Sequence, residues 1–189
     1  MIIVNKMLLT INKLKAIINY FRKVYLKWLG LQFGKNAIIG KITCEWPSSV
    51  VLGDSCTIQD YVDFRISNPF NTNNRIIIGN GVFIGRCTEI NIGSNIIIGN
   101  NCLIASNTTI VDLAHQTKKG VSLKDQLITS SPIFIENDVW IGTRAIILGG
   151  VKIGAGSVIG AGTLVNKSIP SNQIWGGVPA RFIKNKGDK

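Results

Sequence analysis

The stretch IENDVWIGTRAIILGGVKIGAGSVIGAGTLV (135–165) decides the reading of this chain. Ile135, Ile141, Ile147, Ile153, Ile159 and Val165 recur every six residues without a slip, and Gly142, Gly154 and Gly160 directly follow three of them. Upstream, Ile92, Ile98, Ile104 and Ile110 keep the same period, followed by Gly93, Gly99 and Ala105. Ile78, Ile84 and Ile90 form another set, with Gly79 and Gly85. Leu52, Ile58 and Phe64 continue it, as do Phe33 and Ile39 with Gly34 and Gly40. A period of six fits neither a helix nor a simple strand alternation. It needs a unit that returns to one orientation every six residues. A short strand with one aliphatic side chain turned inward, then a tight turn at a small residue, does this; glycine there accepts positive φ and close backbone approach. Three such units close a coil of about 18 residues, and stacked coils bury each other's aliphatic ladders. The expected fold is all-β, a parallel β-helix over residues 33–165.

The interruptions carry as much information as the repeat. The register slips by two residues between Ile90 and Ile92, and residues 66–75 form an Asn-rich excursion. The largest break, 111–132, has no six-residue rhythm and holds the only histidine, His115. A long excursion from a regular scaffold is where function is expected. Residues 166–189, with Pro170 and Pro179, are expected to leave the repeat as a C-terminal cap and basic tail.

At 189 residues, 46% hydrophobic and 16% charged, the chain is neither disordered nor a linker. Its formal net charge of +11 favours an anionic partner. The charge is lopsided: Lys6, Lys13, Lys15, Arg22, Lys23, Lys27, Lys35 and Lys41 precede the first acid, Glu45. A nucleic-acid binder is not expected, because the basic residues sit at one end and no recognised module appears. Cys44, Cys56, Cys87 and Cys102 are scattered and there is a single histidine, so no metal site is expected. Four reduced thiols, with neither a spanning helix nor a secretory leader expected, suit a cytoplasmic protein.

Residues 1–32 are expected to hold one amphipathic helix. Met7, Ile11, Leu14, Ile18, Phe21, Tyr25 and Trp28 recur every three or four residues, Lys6, Lys13, Arg22, Lys23 and Lys27 occupy much of the rest, and Gly30 is a stop. Two readings stand: a helix packed on the domain or on a copy of itself, or a cationic helix lying on an anionic membrane face.

The run from Ile135 to Lys184, through VWIG, VIGAG and GVPAR, and the upstream run IGNNCLIASNTTIVDLAH (98–115) resemble the hexapeptide-repeat acyltransferases. The likeness is greatest to the sugar O-acetyltransferase branch and covers roughly residues 76–184. It implies a left-handed parallel β-helix of triangular section, a homotrimer with sites between subunits, acetyl-CoA as donor, and a hydroxyl or amine as acceptor. His115 matches the family's general base. Imidazole titrates near neutrality, so it can take the proton of an attacking hydroxyl and return it to the leaving thiolate. Polysaccharide-modifying relatives often carry Asp-His-Asp-His here; this chain has Asp112, Leu113, Ala114 and His115, which leaves Asp112 and Glu89 as candidates to orient the ring. Asn91, at the slip, is a candidate for a sugar hydroxyl, with Glu89 beside it.

For the donor, the resemblance points to Trp140, Thr143 and Ala161 along the CoA arm, Asn166 and Lys167 where relatives have Thr-Lys, and Arg181 and Lys184 near the adenosine phosphates. Guanidinium and ammonium groups suit phosphate oxygens. The expected function is transfer of an acetyl group from acetyl-CoA to a sugar hydroxyl, on a cell-envelope polysaccharide or its precursor. The alternatives are N-acetylation of a nucleotide-linked amino sugar and a non-enzymatic β-helix scaffold.

Overall fold

The computed structural model describes residues 2–71 and 73–188; the side chains of residues 2–13 and 15, among them Lys6, Met7, Ile11 and Lys13, lie outside the described residues. Helix α1 (Ile2–Trp28) leads into a stack of coils with three faces. Face one carries the parallel strands Gln32–Phe33, Val50–Leu52, Arg75–Ile78, Asn95–Ile98, Ile133–Ile135 and Lys152–Ile153. Face two carries Ile38–Ile39, Thr57–Ile58, Phe83–Ile84, Leu103–Ile104, Trp140–Ile141, Val158–Ile159 and Gln173–Gly176. Face three carries Thr43–Cys44, Asp63–Ile66, Glu89–Ile92, Thr109–Val111, Ile146–Leu148 and Leu164–Val165. Strands pair in register with their counterparts one coil away, so Ile78 lies against Ile98, Ile84 against Ile104 and Ile90 against Ile110. The six-residue aliphatics form the core: Ile84, Ile104, Ile141, Ile147, Ile153, Ile159 and Val165 are fully buried.

The turn chemistry differs from the expectation in one respect. The glycine directly after the aliphatic does not take positive φ; at the first corner the residue two places further on does, as at Gly81, Asn101 and Gly156. The first glycine is needed for stacking. A Cβ at Gly142 would lie 2.6 Å from the Ala161 nitrogen and 2.8 Å from the Gly160 carbonyl carbon of the next coil. The corner side chains also tie coils together. Asn100 Oδ1 accepts the Asn80 amide at 2.8 Å, and Asn137 Oδ1 accepts the Asn100 amide at 2.7 Å.

Two further expectations are corrected. The slip at 90–92 is not a break in the strand: Ile90 and Ile92 both point inward from Glu89–Ile92, and the displaced register is taken up by the following corner, Gly93–Ser94. The repeat also runs past residue 165. Ile169 bridges Ile153, and Gln173–Gly176 pairs in parallel with Val158–Ile159. The chain then doubles back as Arg181–Asn185, antiparallel to Gln173–Gly176.

Candidate functional site

The corners from face one to face two, and from face two to face three, are uniform tight turns in coils two to six. The third corner, from face three back to face one, is different in every coil. It holds residues 45–49 with a short 3₁₀ turn, then the excursion 67–74, then Gly93–Ser94, then 112–132, then short links at 149–151 and 166–168. All the sequence interruptions therefore stack along one edge.

The excursion 112–132 is an ordered hairpin. Leu113–His115 pairs antiparallel with Ile128–Ser130, placing His115 opposite Ile128 at the end of the arm. Its neck closes through the Ser131 amide on the Asp112 carbonyl at 3.0 Å, and the Gln116 amide binds the Leu127 carbonyl at 2.9 Å. Gln126, buried, ties the tip: its Nε2 donates to the Lys118 and Val121 carbonyls at 2.9 and 3.0 Å. The imidazole of His115 stands exposed and makes no side-chain hydrogen bond among the described residues.

Asp112 has another task than orienting that ring. It is 2% exposed, and its carboxylate accepts the Gly93 amide at 2.6 Å, the Ser94 amide at 2.9 Å and the Ser94 hydroxyl at 2.7 Å. The corner of one coil is thus pinned beneath the hairpin neck of the next. A Cβ at Gly93 would press on the end of the Leu113 side chain, which would have to shift to admit it. Glu89 is also engaged elsewhere, 3.5 Å from Arg65 Nη1. Neither carboxylate is brought to His115 as a hydrogen-bond partner.

The outer side of face three carries a polar cleft of about 460 Å3, lined by Thr43, Glu45, Asp63, Arg65, Ser67 and Asn91 among others. Arg65 Nε donates to Asp63 Oδ2 at 2.7 Å; that bond first, and then the charge of Glu89, raise the guanidinium pKa further and hold it charged. Asn91 Oδ1 is buried without a hydrogen-bond partner. Asn91 lies in register with Val111, from which the His115 hairpin departs two residues later, so the cleft ends at the foot of that hairpin. At the third corner, Trp46 and Phe70 meet edge-to-face, their ring centroids 5.5 Å apart. Of the residues singled out in the sequence, Asn91 lines this cleft and Glu89 does not, while Glu45, Asp63, Arg65 and Ser67 line it without having been singled out. The outward Asp-x-Arg alternation about inward Phe64 was the available signal.

The residues assigned to the donor divide between two edges. Thr143 and Ala161 stack on the second corner in successive coils, Thr143 donating to the Ser106 carbonyl at 2.6 Å. Trp140 projects half-exposed from face two just before that corner. Arg181 pairs with Gly176 at the end of the same face, and Lys184 follows on the returning strand, its Nζ on the Asp188 carbonyl at 2.7 Å. Asn166 and Lys167 sit instead at the third corner, where Lys167 Nζ lies 5.0 Å from the Trp175 ring centroid. Face three separates the two edges.

Three of the four thiols offer no nucleophile, and the fourth, Cys87, is exposed at the second corner. Burial pushes the Cys44 thiol up to about 12, and burial also raises Cys56 and Cys102, so all three stay protonated at neutral pH.

Residues 132–167 match the model of the bacterial transferase hexapeptide family (six repeats). Over 60 residues the chain is 52% identical to galactoside O-acetyltransferase of Escherichia coli K12, a match covering 32% of this chain and 30% of that protein. The matched stretch thus spans less than a third of the curated relatives' length. A solved galactoside acetyltransferase in complex with coenzyme A superposes with a TM-score of 0.59 at 28% identity, over 88% of this chain and 70% of that one. AntD, an N-acyltransferase from Bacillus cereus solved with dTDP-4-amino-4,6-dideoxyglucose and coenzyme A, shares the fold. Its TM-score is 0.73 at 24% identity, over 88% of this chain and 90% of that one. The repeat, the three parallel faces and these matches agree: residues 132–167 carry the bacterial transferase hexapeptide repeat, and the chain is similar in fold to hexapeptide acyltransferases.

Proposed function

We propose that the protein transfers an acetyl group from acetyl-CoA to a hydroxyl of a sugar, with His115 as general base. The observation that carries this reading is the unpartnered Asn91 oxygen in a polar cleft that ends at the foot of the His115 hairpin. A buried amide oxygen without a donor is costly, and a sugar hydroxyl or amide N–H in the cleft would satisfy it. In the transfer, the imidazole takes the hydroxyl proton as the oxygen bonds to the thioester carbonyl carbon. The C–S bond then breaks, and the thiolate of CoA leaves with that proton. Asp63, Glu45 and Arg65 offer acceptors and a donor fork to the other hydroxyls.

The donor fits the second corner. Ser106, Thr143 and Ala161 form a row of small residues along which an extended arm can lie, with Arg181 and Lys184 beyond for phosphates. Since His115 rises from the third corner, the hairpin of one copy is completed by the second corner of a neighbour. A homotrimer closes that head-to-tail contact. It would also cover Leu103, Trp140 and Ile38, which face two leaves exposed. The acceptor in this reading is a cell-envelope polysaccharide or its precursor, modified on the cytoplasmic side, where the donor is made.

A second reading, N-acetylation of a nucleotide-linked amino sugar, is favoured by the acidic side chains around the cleft, which suit an amine, and by the fold shared with AntD. The test is thiol release from acetyl-CoA with sugar and amino-sugar acceptors, comparing wild type with His115→Ala. With a sugar hydroxyl, the variant should lose about 10²–10⁴ in kcat. A much milder loss confined to amine acceptors would favour the second reading. Equal turnover of both proteins with every acceptor would remove His115 from the chemistry.

A further inference from the structure

Helix α1 presents its apolar side away from the β-helix. The side that meets the body holds Leu26, buried, and Lys23, whose Nζ donates to the Ala37 carbonyl at 2.7 Å and lies over the Phe33 ring. Opposite to it, Leu14, Ile17, Phe21, Val24, Tyr25 and Trp28 are all exposed, Phe21 at 65% and Trp28 at 79%. At 100° per residue these six fall within an arc of about 100°, flanked by Lys27 on one side and Arg22 on the other. Nothing in the described chain covers this arc.

We propose that helix α1 docks the protein on an anionic lipid bilayer surface, lying in the interface with this arc in the acyl boundary. Charge selects the occupant. The first 44 residues hold eight basic side chains and no acid, while the remainder of the chain is close to balanced. A second copy seated on the arc would bring the Arg22 and Lys27 cations of the two copies together around its rim, whereas phosphatidylglycerol-type headgroups would neutralise both. Aromatic side chains on the apolar side suit headgroup depth, and a strongly basic polar face is the mark of an in-plane helix. No described helix is long and apolar enough to cross a membrane, consistent with lying on the surface. The proposal does not depend on the acetyl-transfer reading.

The test is flotation of the full chain with vesicles of phosphatidylglycerol and phosphatidylethanolamine, against vesicles of phosphatidylcholine alone. Binding is expected on the anionic vesicles, at least about tenfold weaker on phosphatidylcholine and weakened likewise by ~0.5 M salt. The double variant Phe21→Ser, Trp28→Ser should bind anionic vesicles at least about tenfold more weakly, with an unchanged melting temperature. Wild-type protein that ignores anionic vesicles would overturn the proposal. So would a double variant that binds them like wild type. A double variant that falls to a smaller oligomer without any vesicle binding by the wild type would give the arc to a second copy instead. Acetyl-CoA binding by both proteins, measured by calorimetry, reports separately on the donor site.

Discussion

The first two corners and the third corner of the same coil obey different rules. At the first two, corner residues of successive coils stack, so that a glycine such as Gly142 is fixed by backbone contact and an Asn such as Asn100 by the amide it accepts. At the third, successive links differ in length and conformation, and only their roots are fixed, as Asp112 fixes Gly93 and Ser94. A repeat can vary where its chain leaves the ladder and nowhere else. The side chains with chemical potential, His115, Asn91 and the Asp63–Arg65 pair, border that one edge.

Three substitutions probe this contrast. The largest effect is expected from Gly142→Val at a regular corner. Its Cβ would meet backbone at 2.6 Å, and the cost should be about 3 kcal/mol, read as a fall in denaturation midpoint. Leu123→Ala, on the exposed tip of the hairpin, should stay within about 0.5 kcal/mol. Similar losses at both positions would erase the distinction between the corners. Next comes Asp112→Asn, which replaces a buried acceptor of three hydrogen bonds by a group with one oxygen. A loss of about 1–3 kcal/mol is expected, with faster amide exchange in Leu113–His115 and a lower kcat. Unchanged exchange there would mean that the hairpin neck is held by its backbone alone.

The smallest effect concerns Glu136. Its carboxylate is held below the ordinary 4.5 by the Lys152 hydrogen bond first and then the Ala155 amide. A carboxyl with a lowered folded pKa stabilises above its unfolded value and loses that contribution as pH falls through the folded one. The melting temperature of Glu136→Gln should therefore lie slightly below wild type at neutral pH and converge on it in acid. The group is near the surface, so the gap should be small. A gap that widens on acidification would contradict the assigned direction.

The ladder was legible because six-residue spacing is a local property: Ile135 to Val165 states its own period without reference to any other part of the chain. The location of the excursions was legible for the same reason, as gaps in that rhythm. That the gaps fall on one edge could not be read. It depends on how many residues each coil spends before returning to face one, and the two-residue link at Gly93–Ser94 looks in sequence like a slip in a strand. The tasks of Asp112 and Glu89 were hidden too. Each is defined by a partner on a neighbouring coil, Ser94 for one and Arg65 for the other, and one sequence does not reveal such pairs. The continuation to Ile169 and Gln173–Gly176 was masked by Pro170, whose break in the pattern reads as an end although the turn tolerates it.

The returning strand Arg181–Asn185 has a consequence for solubility. A column of parallel coils carries no intrinsic limit to its growth, since each finished turn offers the next chain an unsatisfied row of amides and carbonyls. By reversing direction on face two, the C-terminal segment occupies part of that row with a strand of opposite sense, and the junction between Leu26 and the first coil shields the other end. The molecule is in this respect a fibre that has been told where to stop, and the two terminal segments are what tell it.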